Sequence, residues 1–180
     1  MQDQLMRYLK KLEVMTEFGD GLRSLGTDPR IKVGAIVFPV DCSAVLGLGY
    51  NGAASGLDHG SVVPREPGAQ MGTGVSGAAH AEANALIKAN LGDGYNQQPC
   101  LMYTTLAPCP YCAPLIANSM RIRGVIIGEE LNEVMNGVHV LLAAGVPVVM
   151  KSKLASLQSG MRDETTRKIV TRWMMSRPRR

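Results

Sequence analysis

Four side chains in this sequence have types and spacings that suit one kind of chemistry. His80 and Glu82 stand in "HAEANAL", and Cys109 and Cys112 in "LAPCPYCAP". A C-x-x-C pair alone is ambiguous, since it serves disulfides, redox switches, half-sites for metals and ordinary cores. With His80 upstream the pair becomes a set of three zinc-type ligands, two sulfurs and one nitrogen. A structural zinc asks for a fourth protein ligand, whereas a catalytic zinc keeps that position for water. Zinc also brings the pKa of such a water near 7, so hydroxide is available at neutral pH. Glu82 is outside the ligand set and is free to carry protons, taking one from the water and giving it to a leaving group. The expected centre is therefore hydrolytic.

The elements that must position these groups follow from the apolar pattern. Leu5, Leu9, Leu12, Met15 and Phe18 predict a helix over 5–19, and "GTDPR" breaks it. "KVGAIVF" (32–38) and "AVLGLGY" (44–50) predict a hairpin of buried strands. Residues 53–79 form a long Gly-, Ser- and Pro-rich loop, a length that is usually functional or disordered. A helix is expected over 79–91, a strand over 100–106 and a helix over 109–120 with proline near its start. A strand over 123–128, a helix over 131–145, a strand over 146–150 and a helix over 162–175 complete the chain. There is no internal repeat. Strands alternating with helices imply a largely parallel sheet covered on both faces, with an antiparallel edge from the hairpin. His80 then opens one helix. Cys109 and Cys112, at i and i+3, share a face in the first turn of another, where free N–H groups favour thiolates.

Composition bounds the class. The chain has 180 residues, 46% of them hydrophobic but only 4% aromatic. One domain over 1–152 is expected, with a basic helical extension over 153–180. No apolar run reaches the roughly 18 residues of a membrane span. The amphipathic, acid-containing N-terminus does not read as a secretory signal, and four cysteines do not make a secreted disulfide framework. The expected location is the cytoplasm. The net charge of +4 owes much to Arg162, Arg167, Lys168, Arg172, Arg177, Arg179 and Arg180. Such a tail reads either as a solvated helix or as a surface for polyanions.

H-x-E followed by P-C-x-x-C is the signature of zinc-dependent base deaminases. The sequence resembles the cytidine-deaminase superfamily, and within it the deoxycytidylate (dCMP) deaminases. The matching stretches are "TDPRIKVGAIV" (27–37), "GLGYNGAASG" (47–56), "HAEANAL" (80–86) and "TTLAPCPYCAPLIANS" (104–119). The "GYNG" at 49–52 separates it from tRNA adenosine deaminases. The resemblance implies a three-layer α/β/α fold with a five-stranded mixed sheet. It implies hydrolytic loss of ammonia from C4 of cytosine, with one zinc held by His80, Cys109 and Cys112 and protons carried by Glu82. It further implies that Asn51 meets the sugar, and that the Ala81 N–H and the Ala107 carbonyl hold the base edge. Family members are commonly oligomers, often hexamers, with dCTP and dTTP as effectors. Where the family often has aromatics after the fourth strand, this chain has "IGEELNE" (127–133). The long loop carries no cysteine for a second, structural zinc.

Three functions compete at this point. The first is conversion of dCMP to dUMP, with dCTP, CMP or a modified cytosine as close variants. The second is a polynucleotide deaminase, supported by the basic tail but opposed by the lack of clustered aromatics for stacking bases. The third is a non-catalytic zinc-binding assembly protein, opposed by the presence of Glu82. Thr27, Lys32 and Arg65 are candidate phosphate contacts. Cys42, Cys100 and His139 read as structural, and His59 is left open.

Overall fold

The computed structural model describes residues 2–28, 31–57, 78–89, 98–129 and 137–176. The expected site candidates His59 and Arg65 lie outside the described residues.

Helix α1 (Gln2–Gly21) presents Leu5, Leu9 and Leu12 inward and ends in a 3₁₀ turn, Leu22–Leu25. Strands β1 (Gly34–Pro39) and β2 (Gly47–Tyr50) form the hairpin. The ends of the long loop are tied together. Gly52–Ala53 (β3) pairs antiparallel with Ala78–Ala79 (β4), immediately before helix α2 (Ala81–Lys88). Then follow β5 (Cys100–Leu106), α3 (Cys112–Asn118), β6 (Ile122–Glu129), α4 (Val138–Ala143), β7 (Val148–Met150), α5 (Lys151–Gln158) and α6 (Glu164–Met175).

The main sheet has five strands in the order β2-β1-β5-β6-β7. β1 is antiparallel to both β2 and β5, while β5, β6 and β7 run parallel. The expected mixed sheet and the parallel fifth strand are both present. Every residue of β1 and β5 is buried, as strands covered on two faces require. The two faces feed separate cores. Ile36, Phe38, Leu101, Tyr103 and Ile126 face α1, α5 and α6. Ala35, Val37, Met102, Val125 and Ile127 face α2, α3 and α4. This is the three-layer α/β/α architecture.

The structure amends the sequence reading in three places. Helix α5 was not anticipated. Its sequence, "KSKLASLQ", offers only Leu154 and Leu157 as buried residues, too few to show a helical period, and it follows β7 with no intervening turn. Its span contains the 152/153 boundary expected between domain and extension. Helix α6 also joins the core: Val170 and Trp173 are 0% and 1% exposed. Trp173 Nε1 donates to the Arg123 carbonyl (3.1 Å), and its ring fills the space over Gly124, where a Cβ would lie 2.2 Å from Cζ2. Helix α4 is described only from Val138, residues 131–136 of the expected span lying outside the described ones. Finally, α3 begins at Cys112, so Cys109 precedes it rather than sharing its first turn. Pro110 has no N–H to donate, and 110–111 form a turn. The Cys109 carbonyl still accepts from the Ala113 N–H (3.0 Å), which sets the helix on this loop.

Candidate metal centre

Two chain reversals bring the ligands together. His80 is the N-cap of α2, with extended backbone (φ −80°, ψ 146°), and its carbonyl accepts from the Asn84 N–H (3.0 Å). This turns its side chain off the axis that carries Ala81 and Glu82 inward. Cys109 lies on the loop between β5 and α3, and Cys112 opens α3. His80 Nδ1 lies 3.4 Å from both Cys109 Sγ and Cys112 Sγ. The three ligand atoms all fall within 4.8 Å of one another, and among the described residues they are the only such group. Two soft sulfurs and an imidazole nitrogen at this separation fit zinc, and they supply three of its four positions. Cys42 and Cys100 stand apart. Burial first of all raises their thiols to about 12 and about 11, so neither is a thiolate at neutral pH.

The seat of α2 explains the placement of His80 and Glu82. A Cβ on Gly49 would lie 2.1 Å from the Ala81 carbonyl oxygen, and one on Gly47 would lie 2.2 Å from that of Ala85. The helix therefore rests directly on the backbone of β2. Asn84 Nδ2 fixes the same junction by donating to the Tyr50 carbonyl (2.9 Å). On the other side, the Gly137 N–H donates to the Pro108 carbonyl (2.6 Å). A Cβ on Gly137 would meet the Ala113 Cβ at 2.5 Å and the Cys109 carbonyl oxygen at 2.8 Å. The sequence reading assigned no packing role to Gly47, Gly49, Asn84 or Gly137. The available signal was glycine inside a strand, which marks close approach of another backbone.

Electrostatics separates the four groups. Glu82 is 5% exposed. Burial raises its pKa to about 7, opposed mainly by its own backbone N–H. The thiols share a proton. The hydrogen bond from Cys112 lowers Cys109 to about 4, helped by His80 and the backbone N–H groups of Cys112 and Tyr111. That same bond, then burial and Glu82, raise Cys112. Without a cation the thiolate thus sits on Cys109, and a divalent metal would take the proton from Cys112 as well.

The remaining expected residues are distributed around this centre. Ala81 opens α2, so its N–H stands outside the intrahelical ladder. The Ala107 N–H donates to the Glu129 carbonyl (2.9 Å), which fixes the loop two residues before Cys109. Asn51 is 9% exposed, and its amide is engaged with the preceding segment. Its Oδ1 accepts from the Val33 N–H (2.7 Å), and its Nδ2 donates to the Ile31 carbonyl (2.6 Å). Thr27 Oγ1 accepts from the Ala53 N–H (3.2 Å). Lys32 and His139 are exposed.

Comparison with known proteins agrees with this geometry. Residues 11–129 match the family described as the cytidine and deoxycytidylate deaminase zinc-binding region, and the chain belongs to that family. It is a zinc-dependent deaminase. Two crystal structures of the dCMP deaminase from the cyanophage S-TIM5 resemble it at 26% identity. One is the apo form (TM-score 0.58) and one the complex with dCMP and dUMP (TM-score 0.59). Each match covers 77% of this chain and 94% of the phage chain. The diaminohydroxyphosphoribosylaminopyrimidine deaminase/5-amino-6-(5-phosphoribosylamino)uracil reductase of Thermotoga maritima shares the fold at 20% identity (TM-score 0.58). That match covers 91% of this chain and 42% of the other. No curated protein sequence matches the chain. Among the described residues no helix is long and apolar enough to cross a membrane.

Proposed function

We propose that the protein removes ammonia hydrolytically from dCMP to give dUMP, a precursor for thymidylate synthesis. The observation that carries this reading is the buried Glu82 beside the cluster of His80, Cys109 and Cys112. The similarity to the cyanophage dCMP deaminase supports the choice of substrate.

In this reading His80, Cys109 and Cys112 hold zinc, which supplies Lewis acidity and activates water at neutral pH. Glu82 is the acid–base group. Its carboxylate takes a proton as water oxygen bonds to C4 of the pyrimidine, and returns it to the departing amine as the C4–N bond breaks. The balance is one water consumed and one ammonia released. A carboxyl group whose pKa lies near the working pH suits both halves of that transfer. The Ala81 N–H and the Ala107 carbonyl offer a donor and an acceptor for the base edge. Asn51 positions the sugar, with the second proton of its amide and the second lone pair of its oxygen available beyond the bonds to Val33 and Ile31. The working form is a homo-oligomer, a hexamer by family resemblance, with dCTP and dTTP as effectors.

Parallel rates with dCMP, dCTP, CMP, cytidine and a cytosine-containing oligonucleotide test the substrate. The reading expects dCMP to be preferred, with only modest dependence on salt. A polynucleotide enzyme would instead lose affinity steeply with salt through counterion release. Robust turnover of the oligonucleotide with none of dCMP would contradict the proposal.

A further inference from the structure

The turn that ends α1 reaches the same end of the sheet as the metal centre, but from the opposite face. Helix α1 packs on the face of Leu101 and Tyr103, whereas α2 and α3 pack on that of Met102. Gly34 lets the turn close on the entry to β1. A Cβ there would lie 2.6 Å from the Gly19 carbonyl oxygen and 3.1 Å from the Arg23 backbone nitrogen. Arg23 is held at that point, in the 3₁₀ turn Leu22–Leu25.

The guanidinium group of Arg23 has partners on both sides of β5. Its Nε donates to the Lys32 carbonyl (3.2 Å), just before β1, and its Nη1 donates to Glu129 Oε1 (3.0 Å), at the end of β6. Strand β5 lies between β1 and β6, and its Leu106 is in register with Glu129. Arg23 therefore spans the point where β5 runs on into Ala107, Pro108 and Cys109.

Each partner supports one of the substrate contacts assigned above. Lys32 lies between Ile31 and Val33, whose carbonyl and N–H engage the Asn51 amide. The Glu129 carbonyl accepts from the Ala107 N–H (2.9 Å). The turn also closes on Asn51 directly. The Gly26 N–H donates to the Arg23 carbonyl (3.0 Å), and a Cβ on Gly26 would lie 2.9 Å from Asn51 Oδ1. One side chain thus ties the support of the sugar contact to that of the base contact. The ion pair itself is 37% and 63% exposed, and such a pair adds little to stability.

We propose that Arg23 is a positioning residue for the deamination, setting Asn51 and Ala107 at the separation that one nucleotide spans. The proposal rests on the dCMP reading. It needs the forked shape of Arg and not its charge, since a single ammonium group does not offer the fixed fork that bonds two separate strands at once.

Steady-state rates with dCMP on the full-length, zinc-loaded protein test it. Arg23→Ala should raise KM by roughly five- to tenfold, the scale of one lost bond, while kcat, zinc content and melting temperature change little. Arg23→Lys should behave like Arg23→Ala. Glu129→Ala should raise KM in the same direction, and the Arg23→Ala/Glu129→Ala variant should be no worse than Arg23→Ala, because both changes cut one link. An unchanged KM in Arg23→Ala would overturn the proposal, as would multiplicative effects of the two substitutions. The KM of the unmodified protein in Arg23→Lys would overturn it too, by reducing Arg23 to a positive charge. Unmodified protein that leaves dCMP untouched would instead overturn the dCMP reading, and this proposal with it.

Discussion

Glu82 is buried two residues beyond an exposed His80. The turn at the N-cap produces this contrast, sending the ligand outward and the carboxyl group into the space beside Cys112. In the mechanism proposed above, metal binding and proton transfer fall to different side chains that can be removed separately. Glu82→Gln keeps the shape and loses the acid–base group. Zinc content should stay near that of the unmodified protein while kcat falls by at least the roughly 10²–10⁴ of a lost acid–base group. Metal analysis and steady-state rates on one preparation check both halves.

The raised pKa of Glu82 has a consequence for stability in the metal-free protein. The folded form holds a proton near pH 7 that the unfolded chain gives up near 4.5. Its contribution is therefore fully present below about 4.5 and is lost as pH rises through about 7. Gln imitates the protonated carboxyl at every pH. Metal-free Glu82→Gln should match the unmodified protein in denaturant stability at pH 4.5 and exceed it at pH 8. A constant difference across this range would contradict the burial argument.

The cysteines divide into two classes. Cys109 and Cys112 face His80 at 3.4 Å, while Cys42 and Cys100 carry thiols raised by burial. The Cys109→Ala/Cys112→Ala variant should lose zinc and activity together. The Cys42→Ala/Cys100→Ala variant should retain zinc, though truncation of the fully buried Cys100 should lower its melting temperature. Zinc retained at full occupancy in the first variant would refute the ligand set.

Gly49 predicts an effect at a distance from any ligand. A Cβ there would meet backbone atoms of Ala81 and Ala85 at 2.1 and 2.6 Å, and backbone cannot rotate away. Gly49→Ala should push α2 from β2 and cost about 1–3 kcal/mol, as overpacking does. Zinc affinity should fall with it, because His80 rides on that helix. Gly56→Ala is the control. Among the described residues nothing lies within 4 Å of its added Cβ, and although its φ of +88° brings local strain, zinc affinity should be unchanged.

The metal centre was legible because its chemistry depends on residue type. His, Glu and two Cys at these spacings have few other uses, and the architecture followed from the order of apolar segments. What the sequence did not disclose depends on contacts between distant segments. Gly47 and Gly49 look like ordinary strand glycines until α2 is laid across them. Trp173 looks like part of a basic tail until its ring is placed over Gly124. The start of α3 was misplaced by three residues because Pro110 satisfies the helix dihedral while supplying no donor. Asn51 was expected at the sugar, yet its bonds to Val33 and Ile31 show a second demand on the same amide that sequence alone could not reveal.

The account is tested most directly by following dCMP with the zinc-replete protein, measuring dUMP and ammonia in the same reaction. It predicts dUMP and ammonia in equal amounts, with turnover lost when zinc is removed by a chelator and restored when zinc is returned. Zinc-replete, folded protein that leaves dCMP unchanged would contradict it.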